Sequence, residues 1–150
     1  MGTSNPAGHN PGQSLFRVVR YWSRRWTSAG QAVDVERGRD VMVAEAVAGL
    51  QGSSGATVNQ VADELGIDQS GASRFVSQAV ERGYLHKVAS PSDARHRLLR
   101  VTDEGDRLLD FAHRWQDSVF AELTAGWPAD DVRQFQLYLQ RFGAAQDERR

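Results

Sequence analysis

From residue 57 to residue 83 the chain carries helix start and stop signals so closely spaced that few backbones satisfy all of them. Thr57 stands three positions before Gln60, the spacing of a capping box, in which a hydroxyl and an amide side chain satisfy free backbone donors at a helix start. Val61, Ala62 and Leu65 then fall on one helical face. Gly66 can take the left-handed conformation that stops a helix, Ile67 can fold back onto the core, and Asp68 is a good cap for the next helix. That second helix is expected from about Gln69 to Arg82, with Ala72, Phe75, Val76, Ala79 and Val80 apolar and Gly83 ending it. Two short helices joined by a tight turn make a helix-turn-helix.

The flanking segments extend the pattern. Leu15, Val18, Val19, Trp22 and Trp26 recur at spacings of three and four, with Arg17, Arg20, Arg24 and Arg25 on other faces, so an amphipathic helix is expected from Ser14. A more apolar helix over 37–50 carries Val41, Val43, Ala44, Val47, Ala48 and Leu50, followed by a loop at Gly52, Ser53, Ser54 and Gly55. The β-prone runs YLHKV (84–88) and LLRV (98–101), separated by the polar ASPSDARHR, predict a hairpin with a long tip. Thr102 can cap a long helix bearing Leu108, Leu109, Ala112, Trp115, Val119 and Leu123, which Gly126 ends. Pro128, Asp130 and Asp131 suit the start of a last helix with Val132, Phe135, Leu139 and Phe142 as its apolar stripe. The fold class is therefore mainly α with a small β-wing: a winged helix-turn-helix over about 37–101, within one domain over 14–150. Residues 1–13 (MGTSNPAGHNPGQ) form a Gly/Asn/Pro-rich tail expected to be flexible.

Composition removes several function classes. With 150 residues, 40% hydrophobic and 25% charged, the chain has room for one core. The absence of cysteine excludes disulfides, thiolate metal sites and thiol-based redox sensing. No run approaches the ~20 apolar residues of a membrane helix, and the first residues lack a signal peptide's apolar core, so a cytoplasmic protein is expected. The formal charge is −1, but residues 68–101 hold six basic against three acidic groups while 102–150 hold six against ten. A near-neutral chain thus carries a positive field on the helix-turn-helix and hairpin, where phosphates would be attracted. The second helix also offers Gln69, Ser70, Ser73, Arg74 and Ser77 beside the small Gly71 and Ala72. Gln and Arg can pair bidentately with adenine and guanine edges, and serine hydroxyls suit phosphates or bases. A solvated polar face is the alternative account of the same residues.

Here the residues carry a resemblance: QVADELGIDQSGASRFVSQAVERGYL followed by SDARHRLLRVTDEG is similar to the winged helix-turn-helix core of MarR (multiple antibiotic resistance regulator) family transcription factors. In that family a wing Asp is followed two residues later by Arg, nine later by Thr and three further by Gly; Asp93, Arg95, Thr102 and Gly105 fall at those places. The resemblance covers 14–145. It implies that Arg95 reads a minor groove, with Asp93 holding the tip by accepting from the backbone or from the Arg95 guanidinium, and with Arg97 as a further phosphate or minor-groove candidate. It implies that residues 14–30 and 102–145 build a homodimer through Leu15, Val18, Trp22, Val132, Phe135, Leu139 and Phe142, whose alternative role is intramolecular core. Such a dimer would bind a palindromic operator with half-sites about 10 base pairs apart, as a repressor that blocks polymerase. A small aromatic or anionic effector would enter near Trp22, Arg25, Trp26 and Trp115, which are otherwise core residues. Gly71, Ala72 and Ala79 depart from the family, where hydroxyl, β-branched or large apolar residues are usual; this bears on the operator sequence more than on the function.

No nucleophile elbow, phosphate-binding glycine loop, paired catalytic carboxylates or zinc-spaced histidines are present, so the expectation is no enzyme, no cofactor and no metal. His113 with Asp110 or Asp117 remains a conceivable metal group on one helix. The rival to a DNA-binding regulator is a winged-helix protein-interaction module.

Overall fold

The computed structural model describes residues 10–23 and 35–149. Arg24, Arg25, Trp26 and the remainder of the segment to residue 30 lie outside the described residues, as do residues 1–9. The first helix, α1, spans Pro11–Trp22, three residues ahead of the expected start. Asn10 is extended at φ −63° and ψ 149°, Pro11 occupies the first helical position, and Gln13 Oε1 accepts the Asn10 N–H at 3.3 Å. Pro11, Gly12 and Gln13 are therefore helical, which corrects the reading of a tail through residue 13. Proline suits this place because its ring fixes a helical φ where its missing N–H is not needed.

The chain forms two compact units, one through Trp115 and one from Gln116. In the first, α2 (Val35–Leu50), α3 (Val58–Leu65) and α4 (Gln69–Glu81) precede the strands β1 (Leu85–Ala89) and β2 (Arg97–Val101) and the opening turns of α5 (Asp103–Leu123). Each short helix has the local signals expected of it. Gln60 N–H donates to Thr57 Oγ1 at 3.1 Å while Gln60 Oε1 accepts from Thr57 N at 2.9 Å. Gly66 turns left-handed at φ 64°, a conformation that costs a Cβ-bearing residue energy, and Asp68 then caps α4. Val43, Val47, Val61, Val76, Leu85 and Leu99 meet in one dry cluster, to which Phe75 and Val80 contribute from its edge. Burial of such side chains contributes ~1.5–3 kcal/mol each relative to exposure. Ala72 and Ala79 are fully buried, so their small size lets α4 lie close to its neighbours.

The strands pair antiparallel from Leu85 opposite Val101 to Ala89 opposite Arg97. A third piece of backbone joins them without a sequence signal of its own. Ala56 N donates to Leu99 O at 2.9 Å and Leu99 N to Ala56 O at 2.7 Å, extending the ladder beyond the hairpin. Gly55 makes this approach feasible: its φ is 119°, and a Cβ there would lie 2.8 Å from Leu98 Cβ.

At the junction into α5, Thr102 Oγ1 donates to Gly83 O at 2.5 Å and accepts the Gly105 N–H at 3.0 Å. Gly105 is buried against the Tyr84 carbonyl, and a Cβ at this position would strike that oxygen and come within 2.6 Å of Val101 Cγ1. Thr102 and Gly105 thus dock the first turn of α5 onto the connection between α4 and β1. Val41 and Ala44 of α2 pack on Leu108, Leu109 and Ala112 of α5.

In the second unit Gly126 adopts φ 84°, Pro128 stands at the cap position, and α6 runs over Ala129–Asp147 with Asp130 and Asp131 in its first turn. Phe120 stacks on Phe135 at a centroid distance of 6.0 Å, and Trp127 meets the same ring at 5.6 Å. No residue of α6 is buried. No helix among the described residues is long and apolar enough to cross a membrane.

Candidate nucleic-acid interface

The α4 helix divides its residues cleanly. Ala72, Val76 and Ala79 face the core, while Gln69, Ser70, Ser73, Arg74 and Ser77 are all exposed. The five candidate readers therefore share one solvent face. Asp68 Oδ1 accepts the Gly71 N–H at 2.8 Å, and a Cβ at residue 71 would lie 2.6 Å from that same oxygen. The glycine that weakens helix propensity at this position is thus what leaves room for the cap.

The hairpin tip is organised by Asp93. Its Oδ1 accepts the Arg95 backbone N–H at 3.0 Å, its Oδ2 lies 3.1 Å from His96 Nδ1, and its carbonyl accepts the His96 N–H at 3.0 Å. Of the two partners the sequence left open, the backbone is the one used. The Arg95 guanidinium has no hydrogen-bond or ion-pair partner among the described residues, and Arg95 is exposed, as are Lys87 and Arg97. Of the four motif positions, Asp93, Thr102 and Gly105 are spent on local structure. Arg95 alone is left facing solvent.

Two other arginines counted in the positive segment are committed to the fold. Arg82 Nη1 contacts Asp40 Oδ1 at 2.9 Å and Oδ2 at 3.0 Å, and its Nη2 reaches Glu36 Oε2 at 2.9 Å, tying the end of α4 to α2. Asp40 is 3% exposed, so Arg82 Nη1 spans both oxygens of a buried carboxylate while Nη2 serves Glu36. Arg100 Nη1 donates to Ser53 O at 2.8 Å. Sequence reading also passed over Arg39 of α2, whose guanidinium carbon lies 5.2 Å from the Phe75 ring centroid, while that of Arg74 lies 5.4 Å from it. Nothing local to residue 39 signals this, because the contact is made across helices.

The remaining candidates fall elsewhere. Leu15 and Val18 are exposed on α1, which buries no residue, and Trp22 is half-buried. Trp22 meets Trp115 edge to face at 6.1 Å, the part of the expected effector constellation that lies within the described residues. On α6, Phe135, Leu139 and Phe142 are 37%, 47% and 55% exposed, and Val132 is half-buried. His113 Nε2 lies 2.5 Å from Glu45 Oε1, so it joins α5 to α2. Among the described residues no three His, Asp or Glu side chains gather as a metal would need.

Three helices, an antiparallel hairpin with a basic tip and a polar second helix define a winged helix-turn-helix. The sequence model of the MarR family matches residues 38–96. A curated relative, the HTH-type transcriptional regulator BilQ of Clostridioides difficile (strain CD3), is 29% identical over 72 residues, covering 45% of this chain. That stretch is 49% of BilQ, so the chain spans about half the length of the curated relative it matches. Among solved structures, CouR from Rhodococcus jostii RHA1 bound to p-coumaroyl-CoA is similar at 27% identity and a TM-score of 0.64, with 93% of this chain and 95% of CouR covered. The PcaV transcriptional regulator from Streptomyces coelicolor, in complex with its natural ligand, is similar at 26% identity and a TM-score of 0.57, with 97% and 99% covered. Over residues 38–96 the chain is similar to the MarR family, and it has the winged-helix fold of the solved structures it resembles.

Proposed function

We propose that this chain is a cytoplasmic homodimeric regulator that binds a palindromic double-stranded DNA operator in a sequence-specific way and represses transcription from it. The observation that carries the proposal is the shared exposed face of Gln69, Ser70, Ser73, Arg74 and Ser77, with the unpaired Arg95 at the wing tip. In this reading α4 enters a major groove, where Gln69 and Arg74 pair with base edges and the serines contact bases or phosphates. Arg95, assisted by Arg97, occupies the adjacent minor groove, whose narrow stretches concentrate negative potential. The exposed apolar faces of α1 and α6 meet those of a second copy, which places two recognition helices on a two-fold axis. The chain binds; it does not catalyse.

Release of the operator follows from a small aromatic or anionic molecule held near Trp22 and Trp115. The p-coumaroyl-CoA bound to CouR supports that chemistry. Such a ligand weakens DNA binding only by binding the DNA-incompetent spacing more tightly. Fluorescence anisotropy of the purified chain on a labelled operator tests both halves. The expected result is a salt-dependent affinity that p-coumaroyl-CoA or p-coumarate lowers; binding that ignores sequence and salt contradicts the reading.

A further inference from the structure

The Phe75 ring is flanked by two guanidinium groups from different helices, Arg39 of α2 at 5.2 Å and Arg74 of α4 at 5.4 Å. Neither has a carboxylate partner among the described residues, although Glu36, one turn before Arg39, lies within reach of cations and is bound by Arg82 instead. Two like charges beside one ring repel each other, and an anion bound by either relieves that repulsion. Arg74 sits on the face of α4 that carries the candidate base readers. An anion held by Arg39 would therefore lie at the flank of that helix.

Resting on the reading of α4 as a major-groove helix, we infer that Arg39 is a DNA-backbone contact: it binds a phosphate on the strand bordering the groove that α4 enters. Arg39 adds affinity without base preference, because phosphates are the same at every step. The Phe75 ring holds the Arg39 side chain in place before DNA arrives, which lowers the ordering cost of the contact. Arg37, two residues away, provides an internal control. Its guanidinium carbon lies 4.8 Å from the Phe111 ring centroid, on a different aromatic residue of a different helix.

The test compares the wild-type chain with Arg39→Gln, Arg39→Lys and Arg37→Gln by anisotropy on a preferred and a scrambled duplex, across a fourfold range of salt. Arg39→Gln is expected to lower the slope of log affinity against log salt by about 0.9 on both duplexes. Its affinity deficit then shrinks about threefold across that range, since one counterion fewer is released. Arg39→Lys keeps the slope, and Arg37→Gln changes nothing. An unchanged slope in Arg39→Gln, with a steep slope in the wild type, overturns the contact while leaving the DNA-binding reading intact. A lowered thermal midpoint with an unchanged slope assigns Arg39 to packing on Phe75 and overturns the contact equally. A wild type that binds neither duplex overturns the parent reading and this inference with it.

Discussion

Asp93 and Arg95 are joined at the wing tip through the backbone: the carboxylate accepts the Arg95 N–H at 3.0 Å, while its other oxygen faces His96 at 3.1 Å. A carboxylate that took the guanidinium itself would cancel the charge the tip presents. By taking the amide it fixes the turn and leaves the cation for a partner, so the Asp-x-Arg spacing serves presentation.

Replacing Asp93 by Ala removes that amide bond from an exposed turn. Thermal stability is expected to change by about 1 kcal/mol or less, because the losses are one solvent-exposed cap-like hydrogen bond and the exposed contact with His96. Duplex affinity is expected to fall about fivefold as the tip loses order, with Asp93→Asn, which keeps an acceptor, falling less. Paired thermal melts and anisotropy titrations check this; equal affinity for all three proteins contradicts it.

Gly105→Ala places a methyl group against the Tyr84 carbonyl and 2.6 Å from Val101 Cγ1. Both neighbours are held, the Tyr84 oxygen by the Thr102 N–H at 3.0 Å, so the helix must move. Overpacking of this kind costs ~1–3 kcal/mol. The expected outcome is a midpoint lower by several degrees, read by circular dichroism, and Gly12→Ala in α1, where a Cβ meets nothing within 4 Å, serves as the clash-free comparison and does not lower it.

Arg82→Ala removes the cation whose Nη1 contacts both oxygens of the Asp40 carboxylate, which is 3% exposed. Removing one member of a fully buried pair costs ~3–5 kcal/mol, and the 31% exposure of the Arg82 side chain lowers the expectation to ~2–3 kcal/mol. Asp40→Asn is expected to cost less, and the double variant less than the sum of the singles. A chemical-denaturation cycle measures this coupling. Strict additivity would mean that the pair does not hold α4 to α2.

Leu139 and Phe142, 47% and 55% exposed, lie on one face of α6, none of whose residues is buried among the described residues. If that face meets a second copy, Leu139→Glu with Phe142→Glu shifts the solution mass from twice the 16.6 kDa of one chain to 16.6 kDa and abolishes palindrome binding, with little change in helix content. Light scattering coupled to size exclusion gives the answer. A double variant that remains dimeric places the interface elsewhere.

Signals that act over a few residues were legible before any coordinates: the Thr57–Gln60 box, Gly66 in the left-handed region and Asp68 as a cap all stand where the sequence puts them. The first helix start was not, because the competing Asn10–Pro11–Gln13 cap lies in a segment whose composition suggests a tail. Contacts between distant residues left no trace in spacing. The Ala56–Leu99 bridge, the Arg82–Asp40 pair and the Arg39–Phe75 contact each join segments far apart in the chain. Gly71 and Ala79 depart from the family pattern, and nothing in the sequence alone says why. The cap at Asp68 and the close packing of α4 give both a physical reason.

The central claim, that α4 and the wing read DNA, is tested most directly by selecting bound duplexes from a randomised pool at two salt concentrations and repeating the selection with Arg95→Ala. The account predicts an enriched inverted repeat with half-sites about 10 base pairs apart for the wild type, and for Arg95→Ala a weaker affinity with a salt slope lower by about one. No enrichment at either salt, from protein that is folded and dimeric, would contradict it and assign the wing and helix to a protein partner.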